Sequence, residues 1–213
     1  MIKAYRWRLC GIALAAGFAS ACAGDGATTS PTMRNPNSWS FAQGIMDRGP
    51  MLVEVRGEPY TTDQQVVGET VARAMERAIT WSAGARFTPR KEEAASPTFR
   101  VVTTFNGPIG LGSNENCADG AQGGGPLPEG QVRMLMTFCD GADVISNVSG
   151  HIGRSTGIAD PEFTDLIYQA TRDLFPPRGF DPRGTGFGVG VGIGSGGVGI
   201  GSGGGGVGWG IGF

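Results

Sequence analysis

TFRVVTTF, residues Thr98 to Phe105, is a stretch in which every second side chain falls on the same, mostly hydrophobic face. This period of two is typical of a half-buried β-strand. That face carries Phe99, Val101, Thr103 and Phe105. The same pattern occurs in Met51–Arg56 (MLVEVR), Gln131–Cys139 (QVRMLMTFC) and Asp143–Gly150. The sequence therefore predicts a sheet of about four strands.

Two helices are predicted beside these strands. From Thr62 to Trp81, apolar residues recur every three or four positions, which indicates a helix with one apolar face. A second helix is predicted to begin with Asp160 as its cap and Pro161 in its first turn, and to end at Pro176. The order β-α-β-β-β-α predicts the α+β class. We expect a two-layer sandwich, with a mainly antiparallel sheet and both helices on one of its faces.

Composition excludes several classes of protein. The chain has 213 residues, of which 17 are Lys or Arg and 19 are Asp or Glu, so its net charge is −2. Without a basic surface, a nucleic-acid partner is not expected. One His and four Cys leave few ligands for zinc or haem, and no cofactor is expected. The 39 Gly are far more than an average chain of this length would contain.

The first 21 residues read as an export signal. Lys3, Arg6 and Arg8 precede an apolar run from Leu9 to Ala21, which is too short to span a membrane but fits a secretory signal. The run ends in Ala19-Ser20-Ala21-Cys22. The alternative reading is an ordinary signal peptide that is cut after Ala21 and leaves Cys22 as a free thiol.

Small residues before a cysteine resemble the lipobox of bacterial lipoproteins. The resemblance implies that Cys22 is lipidated and that the chain is cut before it, because in this family the thiol carries the acyl chains. Two or three acyl chains make a stable anchor. Ala23, where an inner-membrane lipoprotein often has Asp, implies sorting to the outer membrane. We therefore expect a lipid-anchored protein of the outer membrane that faces the periplasm, with surface exposure also possible, and the membrane as its first partner.

After the anchor, the chain divides into three parts. Residues 22–38 are rich in Ser, Thr, Asn and Pro and are predicted to be a flexible tether. Residues 39–180 form the α+β domain, and residues 181–213 form a glycine-rich tail outside its core. This layout resembles small α/β domains of proteobacterial lipoproteins, a resemblance that brings no catalytic motif. Without residues 1–21, the chain has 14 basic and 19 acidic residues and a net charge of −5.

The remaining cysteines are predicted to pair. Cys10 lies in the signal and Cys22 is the lipid site, which leaves Cys117 and Cys139 in an oxidising compartment. Their disulfide would close a ring of 23 residues, worth about 3 kcal/mol. It would hold the long loop 106–130 against the end of a strand.

No catalytic or metal site is predicted. Ser149 and His151 point to the same face of one strand without the sharp turn that a nucleophilic serine needs, and Asp143 lies farther along it. The run Gly153–Gly157, with Arg154, could hold an anion but is more often a solvated turn. The best group of metal ligands is weak, because too few oxygens share one loop: Asn114, Glu115, Asn116 and Asp119.

The tail is a different material, with 17 Gly among the 30 residues from Gly184 to Phe213 and no charge. Glycine alternates with apolar residues, which predicts three short strands joined by glycine turns. The residues of its apolar stripe are Phe187, Val189, Val191, Ile193, Val207, Trp209, Ile211 and Phe213. The alternative is a flexible tail in water.

Two functions follow from this layout. In the first, the domain is a periplasmic binding module, anchored by its lipid and without catalytic activity, that holds an unidentified protein or envelope partner. In the second, the protein is a structural component of the envelope whose tail associates with itself or with the membrane. A concave pocket in the domain would favour the first function.

Overall fold

The structure is a computed structural model that describes residues 26–176 and the backbone of residues 189–194 and 197–202. Within these residues the chain forms a six-stranded sheet, a separate two-stranded sheet and four α-helices. The strands of the large sheet are β1 (Thr28–Met33), β2 (Met51–Arg56), β3 (Phe87–Thr88), β4 (Phe99–Phe105), β5 (Val132–Asp140) and β6 (Asp143–Ile152). The helices are α1 (Ser38–Met46), α2 (Gln64–Ala78), α3 (Ser113–Cys117) and α4 (Pro161–Leu174).

The large sheet is mixed. Its strand order is β1-β6-β5-β4-β2-β3. The pairs β1–β6, β6–β5 and β5–β4 are antiparallel, whereas β2 is parallel to both β3 and β4. The prediction of a two-layer α+β sandwich with about four, mainly antiparallel strands is therefore wrong.

Three physical features account for the difference. Thr28–Met33 lies in the segment expected to be a tether, yet it pairs with β6 as an edge strand. α2 carries the chain back across the sheet after β2, so that β3 and β4 run in the same direction as β2. α3 packs on the sheet face opposite the main core, so the helices do not all lie on one face.

The main core lies between the sheet and the pair α2 and α4. Val101, Phe105 and Phe138 point into it from the sheet and are fully buried. Phe163 and Phe175 reach it from α4 and its end, with ring centroids 5.5 Å from Phe105 and 5.0 Å from Phe138. The apolar residues that alternate along the strands thus form one continuous layer of the core.

α4 is held in place by its cap and by a glycine on the neighbouring strand. Asp160 accepts a hydrogen bond from the Glu162 backbone at 3.0 Å, and Pro161 occupies the first turn, so the predicted start of this helix is confirmed. Gly150 of β6 faces α4, where an added Cβ would lie 2.7 Å from Leu166 Cδ1. Glycine at this position lets the helix approach the sheet.

The opposite face carries a smaller core around the disulfide. Cys117 and Cys139 are bonded, as the sequence predicts, with their Cα atoms 5.7 Å apart. Both are fully buried, and they pack with Val102 of β4 and Val144 of β6. The disulfide therefore joins the end of α3 to β5 and closes the loop that lies over the middle of the sheet.

The backbone of the tail forms a hairpin where it is described. β7 (Val189–Gly194) and β8 (Gly197–Ser202) pair antiparallel, with Val191 opposite Ile200. The sequence predicts three tail strands, and the third lies outside the described residues. So do Cys22 and the tail residues Phe187, Val207, Trp209, Ile211 and Phe213.

Candidate functional site

The candidate site is the part of the sheet that neither the main core nor α3 covers. It extends over β1, β6 and the first half of β5 and forms an open depression of about 680 Å³. We call this surface the open face. Five of the polar residues that line it are Thr28, Ser30, Arg133, Ser149 and His151.

The antiparallel register brings these side chains together. Thr28 lies opposite His151, Ser30 opposite Ser149, and Arg133 opposite His151 on the other side. All five lie on the sheet face that points away from α4. Since Thr28 and Ser30 lie more than a hundred residues before His151 and Ser149, the whole site exists only when β1 is docked.

Hydrogen bonds hold the open face in a fixed arrangement. Thr28 Oγ1 and His151 Nδ1 are hydrogen-bonded at 2.8 Å. The Ser149 hydroxyl donates to the Ser30 carbonyl oxygen at 3.1 Å. Ser149 therefore uses its proton on the backbone and not on His151, and these residues do not form a nucleophile and base. They offer an imidazole, hydroxyls and a guanidinium to a polar partner.

A second, smaller depression of about 200 Å³ adjoins the open face. It lies beside the loop Gly107–Leu111 and shares Arg133 and Ser149 with its larger neighbour. The Arg133 guanidinium donates to the Gly107 carbonyl at 3.4 Å. Ile109, at the tip of this loop, is 91% exposed.

Two arginines and a glutamate form an ionic cluster under the disulfide loop. Glu54 of β2 accepts from Arg56 at 2.7 Å and lies 3.1 Å from Arg100 Nε. Arg100 donates to the Cys117 carbonyl at 2.7 Å, and Arg56 donates to the Asn116 and Ala118 carbonyls, each at 3.0 Å. The arginines thus satisfy the free carbonyls at the end of α3. Because each of the three side chains is tied to another member of the cluster or to α3, the cluster is structural.

Asn116 fixes α3 to the sheet. Its side chain is fully buried, and its amide donates to Thr137 Oγ1 at 2.9 Å and to the Val102 carbonyl at 3.2 Å. Its oxygen accepts from Thr104 Oγ1 at 2.5 Å. From the sequence, Asn116 is predicted only as a member of a weak group of metal ligands. The signal that could have revealed it is the pair of threonines on the polar face of two neighbouring strands.

The other three residues of the weak metal group each have a different environment and do not converge on one point. Glu115 accepts from the Gly112 backbone at 3.1 Å, and Asp119, 97% exposed, lies 3.5 Å from Arg100. Asn114 is on the exposed side of α3. Across residues 26–176, no group of three or more His, Cys, Asp or Glu side chains could hold a metal ion.

The loop Gly153–Gly157 is hydrogen-bonded to the residue that caps α4. Asp160 accepts from the Thr156 backbone at 2.8 Å and from the Thr156 hydroxyl at 3.0 Å. These bonds, the one from the Thr156 backbone above all, lower the pKa of Asp160 despite partial desolvation. Arg154 is exposed and lies 3.9 Å from Glu129. The loop therefore serves the start of α4.

Among the helices that the structure describes, none is both long and apolar enough to cross a membrane.

No family model and no curated protein matches the chain. Among solved structures, the chain is similar to two PelC dodecamers from Paraburkholderia phytofirmans, one of them a point variant. The variant is 15% identical, over 70% of this chain and 98% of that chain, with a TM-score of 0.36. The other is 16% identical, over 70% of this chain and 97% of that chain, with a TM-score of 0.37. At these low TM-scores, the likeness supports no conclusion on family, assembly or activity.

Proposed function

We propose that the chain is a lipid-anchored binding module of the bacterial outer membrane that faces the periplasm and holds an envelope protein on its open face. The observation that supports this proposal is that helices and loops cover one face of the large sheet and only part of the other. One face is closed by α2 and α4, and the middle of the other is closed by α3 and its disulfide loop. The open face is a part of the sheet that neither cover occupies, and it is available to a partner.

The chemistry of the open face suits a polar partner surface. Exposed hydroxyls and an imidazole stand on paired strands, so little side-chain and backbone entropy is lost when a partner binds. Arg133 adds a guanidinium that can bind a carboxylate with two hydrogen bonds. The proposal includes no catalytic step, because Ser149 is bonded to a carbonyl oxygen and the Glu54 carboxylate is neutralised by two arginines.

The anchor in this proposal is Cys22, on the strength of the apolar run and the small residues before it. Cell fractionation of Cys22→Ser, with and without residues 184–213, tests it. We expect the variant to leave the outer-membrane fraction and the intact N-terminus to carry acyl chains by mass spectrometry. An unmodified Cys22 in the native host would refute the anchor.

The open face is tested by site-specific photocrosslinking in intact cells. A photoreactive amino acid in place of Ser149 should give an adduct of defined mass with an envelope protein. The control position is Val66, which is 44% exposed on α2, on the other side of the sheet. The proposed binding surface is wrong if both positions give the same adducts or if position 149 gives none.

A second function is supported by the tail hairpin, in which β7 and β8 pair over six residues. We propose as the alternative that the protein is a structural component of the envelope whose tail associates with other copies or with the membrane. Fluorescence of Trp209, assigned with a Trp209→Phe control, tests it. A shift to shorter wavelength at high concentration or with vesicles supports association, whereas a water-like emission under both conditions excludes it.

A further inference from the structure

The strand directions gather several chain segments at one end of the large sheet. β1 and β5 begin at this end, and β4 and β6 finish there, because β4–β5, β5–β6 and β6–β1 are antiparallel pairs. We call it the near end. The turn between β5 and β6, at Gly141 and Ala142, lies at the opposite end. At about 3.3 Å per residue, the ten residues of β6 separate the two ends by about 30 Å.

The loop that follows β4 presents Ile109 at the near end. Ile109 is 91% exposed, against 43–47% for the other exposed large hydrophobic side chains of residues 26–176. The base of the loop is fixed, since Asn106 exchanges hydrogen bonds with the Arg133 backbone at 2.8 and 2.9 Å. The Leu111 N–H bonds to the Pro108 carbonyl at 3.2 Å, which closes a turn around the tip. The loop thus holds an isoleucine away from the core on a fixed base.

The length of chain before β1 limits how far this end can lie from the anchor. Five residues lie between Cys22 and Thr28, and the six steps of chain that join them span at most about 22 Å when fully extended. β4 is the third strand from β1 in the sheet order, which places it about 15 Å to the side at the usual strand spacing. A membrane that holds Cys22 therefore lies at most about 22 Å from the start of β1, a distance shorter than the length of the sheet.

We propose that the near end faces the phospholipid surface in which Cys22 is anchored and that Ile109 inserts its side chain into the interface of that surface. The proposal rests on the lipid anchor of the proposed function. Transfer of an exposed isoleucine side chain out of water is favourable. The free energy from one such side chain is too small to hold a protein on a membrane by itself. The short anchor supplies the high local concentration that makes one contact sufficient. The open face adjoins the near end, so its partner would be bound close to the lipid.

The experiment uses the mature, acylated full-length protein in vesicles of phosphatidylethanolamine and phosphatidylglycerol. An environment-sensitive fluorophore is attached to Ile109→Cys, the only free thiol when Cys22 is acylated and Cys117 and Cys139 are bonded. The matched control is Ala142→Cys, which is exposed at the opposite end. We expect the label at position 109 to emit at shorter wavelength and to be quenched by lipids that carry a quencher in their acyl chains. The label at position 142 should stay water-like and be quenched only by an aqueous quencher.

Hydrogen exchange on the unlabelled protein gives an independent reading. The amides of Gly110 and Leu111 should exchange more slowly in vesicles than in detergent-free solution of the Cys22→Ser chain, with no change at Gly141. If the acylated protein floats with the vesicles and position 109 still reports water, Ile109 insertion is wrong while the anchor stands. If Cys22 carries no acyl chain, the anchor and the insertion both fail.

Discussion

Asn116→Ala should be one of the most destabilising single substitutions on the sheet face opposite α2 and α4. The asparagine is fully buried, and its side chain bonds two threonine hydroxyls and the Val102 carbonyl. Alanine leaves Thr104 and Thr137 without this partner in a site closed to water. The substitution thus removes the contacts that hold α3 on the sheet.

The magnitude follows from three lost hydrogen bonds with good geometry. Each is worth about 0.5–1.5 kcal/mol, and a buried group left unpaired costs more. The expected loss is about 2–4 kcal/mol, which corresponds to a fall in Tm of about 5–15 °C for a domain of this size. Urea unfolding followed by circular dichroism measures it. Asn114→Ala, on the exposed side of the same helix, is the control and should change stability by less than about 0.5 kcal/mol.

Asn116→Asp tests the same contacts by charge. The introduced carboxylate cannot donate to the Val102 carbonyl, and burial raises its pKa above the value in the unfolded chain. The free energy of unfolding of Asn116→Asp, compared with that of Asn116→Ala, should therefore fall as pH rises above the pKa of the carboxyl group in the unfolded chain, and it should recover in acid. A loss of stability no larger in Asn116→Ala than in the Asn114 control, or an Asn116→Asp variant without pH dependence, would refute the reasoning.

Three further outcomes are expected. Replacing Cys117 and Cys139 together by Ala should lower the free energy of unfolding by about 3 kcal/mol. The reason is that the unfolded chain gains entropy when a cross-link across a sequence separation of 22 residues is lost. Equal stability with and without the bond in denaturant melts would contradict this. Asp160→Ala should cost about 1 kcal/mol at neutral pH. Since hydrogen bonds to the carboxylate lower its pKa in the folded state, the difference from the parent chain should be complete above the unfolded pKa and fade as pH falls through the folded one. Gly123→Ala should cost about 1–3 kcal/mol, because its Cβ would lie 2.2 Å from a backbone nitrogen, whereas Gly125→Ala meets nothing within 4 Å and should be neutral in the same melts.

The elements with strong local patterns are those that the sequence predicts. β5 and β6 alternate, and α4 has both a cap and an apolar stripe. β1 has no such pattern, and Pro31 in its middle argues against a strand, although an edge strand tolerates it. The parallel pairing of β2 and β4 had a usable signal, because a long helix between two strands is the usual parallel crossover.

The candidate site was less accessible to sequence reasoning than the fold. Ser149 and His151 lie on one face of β6, as the alternation in the sequence predicts. Their partners, Thr28 and Ser30, are joined to them only by a register between segments about 120 residues apart. No local pattern encodes such a contact. The cluster of Glu54 and Arg100 is similar, since its purpose depends on where α3 ends.

The long separation between β1 and its partners has a consequence for the order of folding. β1 packs mainly on β6 and α4, which are made more than a hundred residues later. A chain that is synthesised from its N-terminus therefore makes β1 first and pairs it last. Cys117 and Cys139 are both delivered before β6 is complete, so the disulfide can close while β1 is still free. The sheet is therefore completed at the β1 edge only after β6 and α4 have been made.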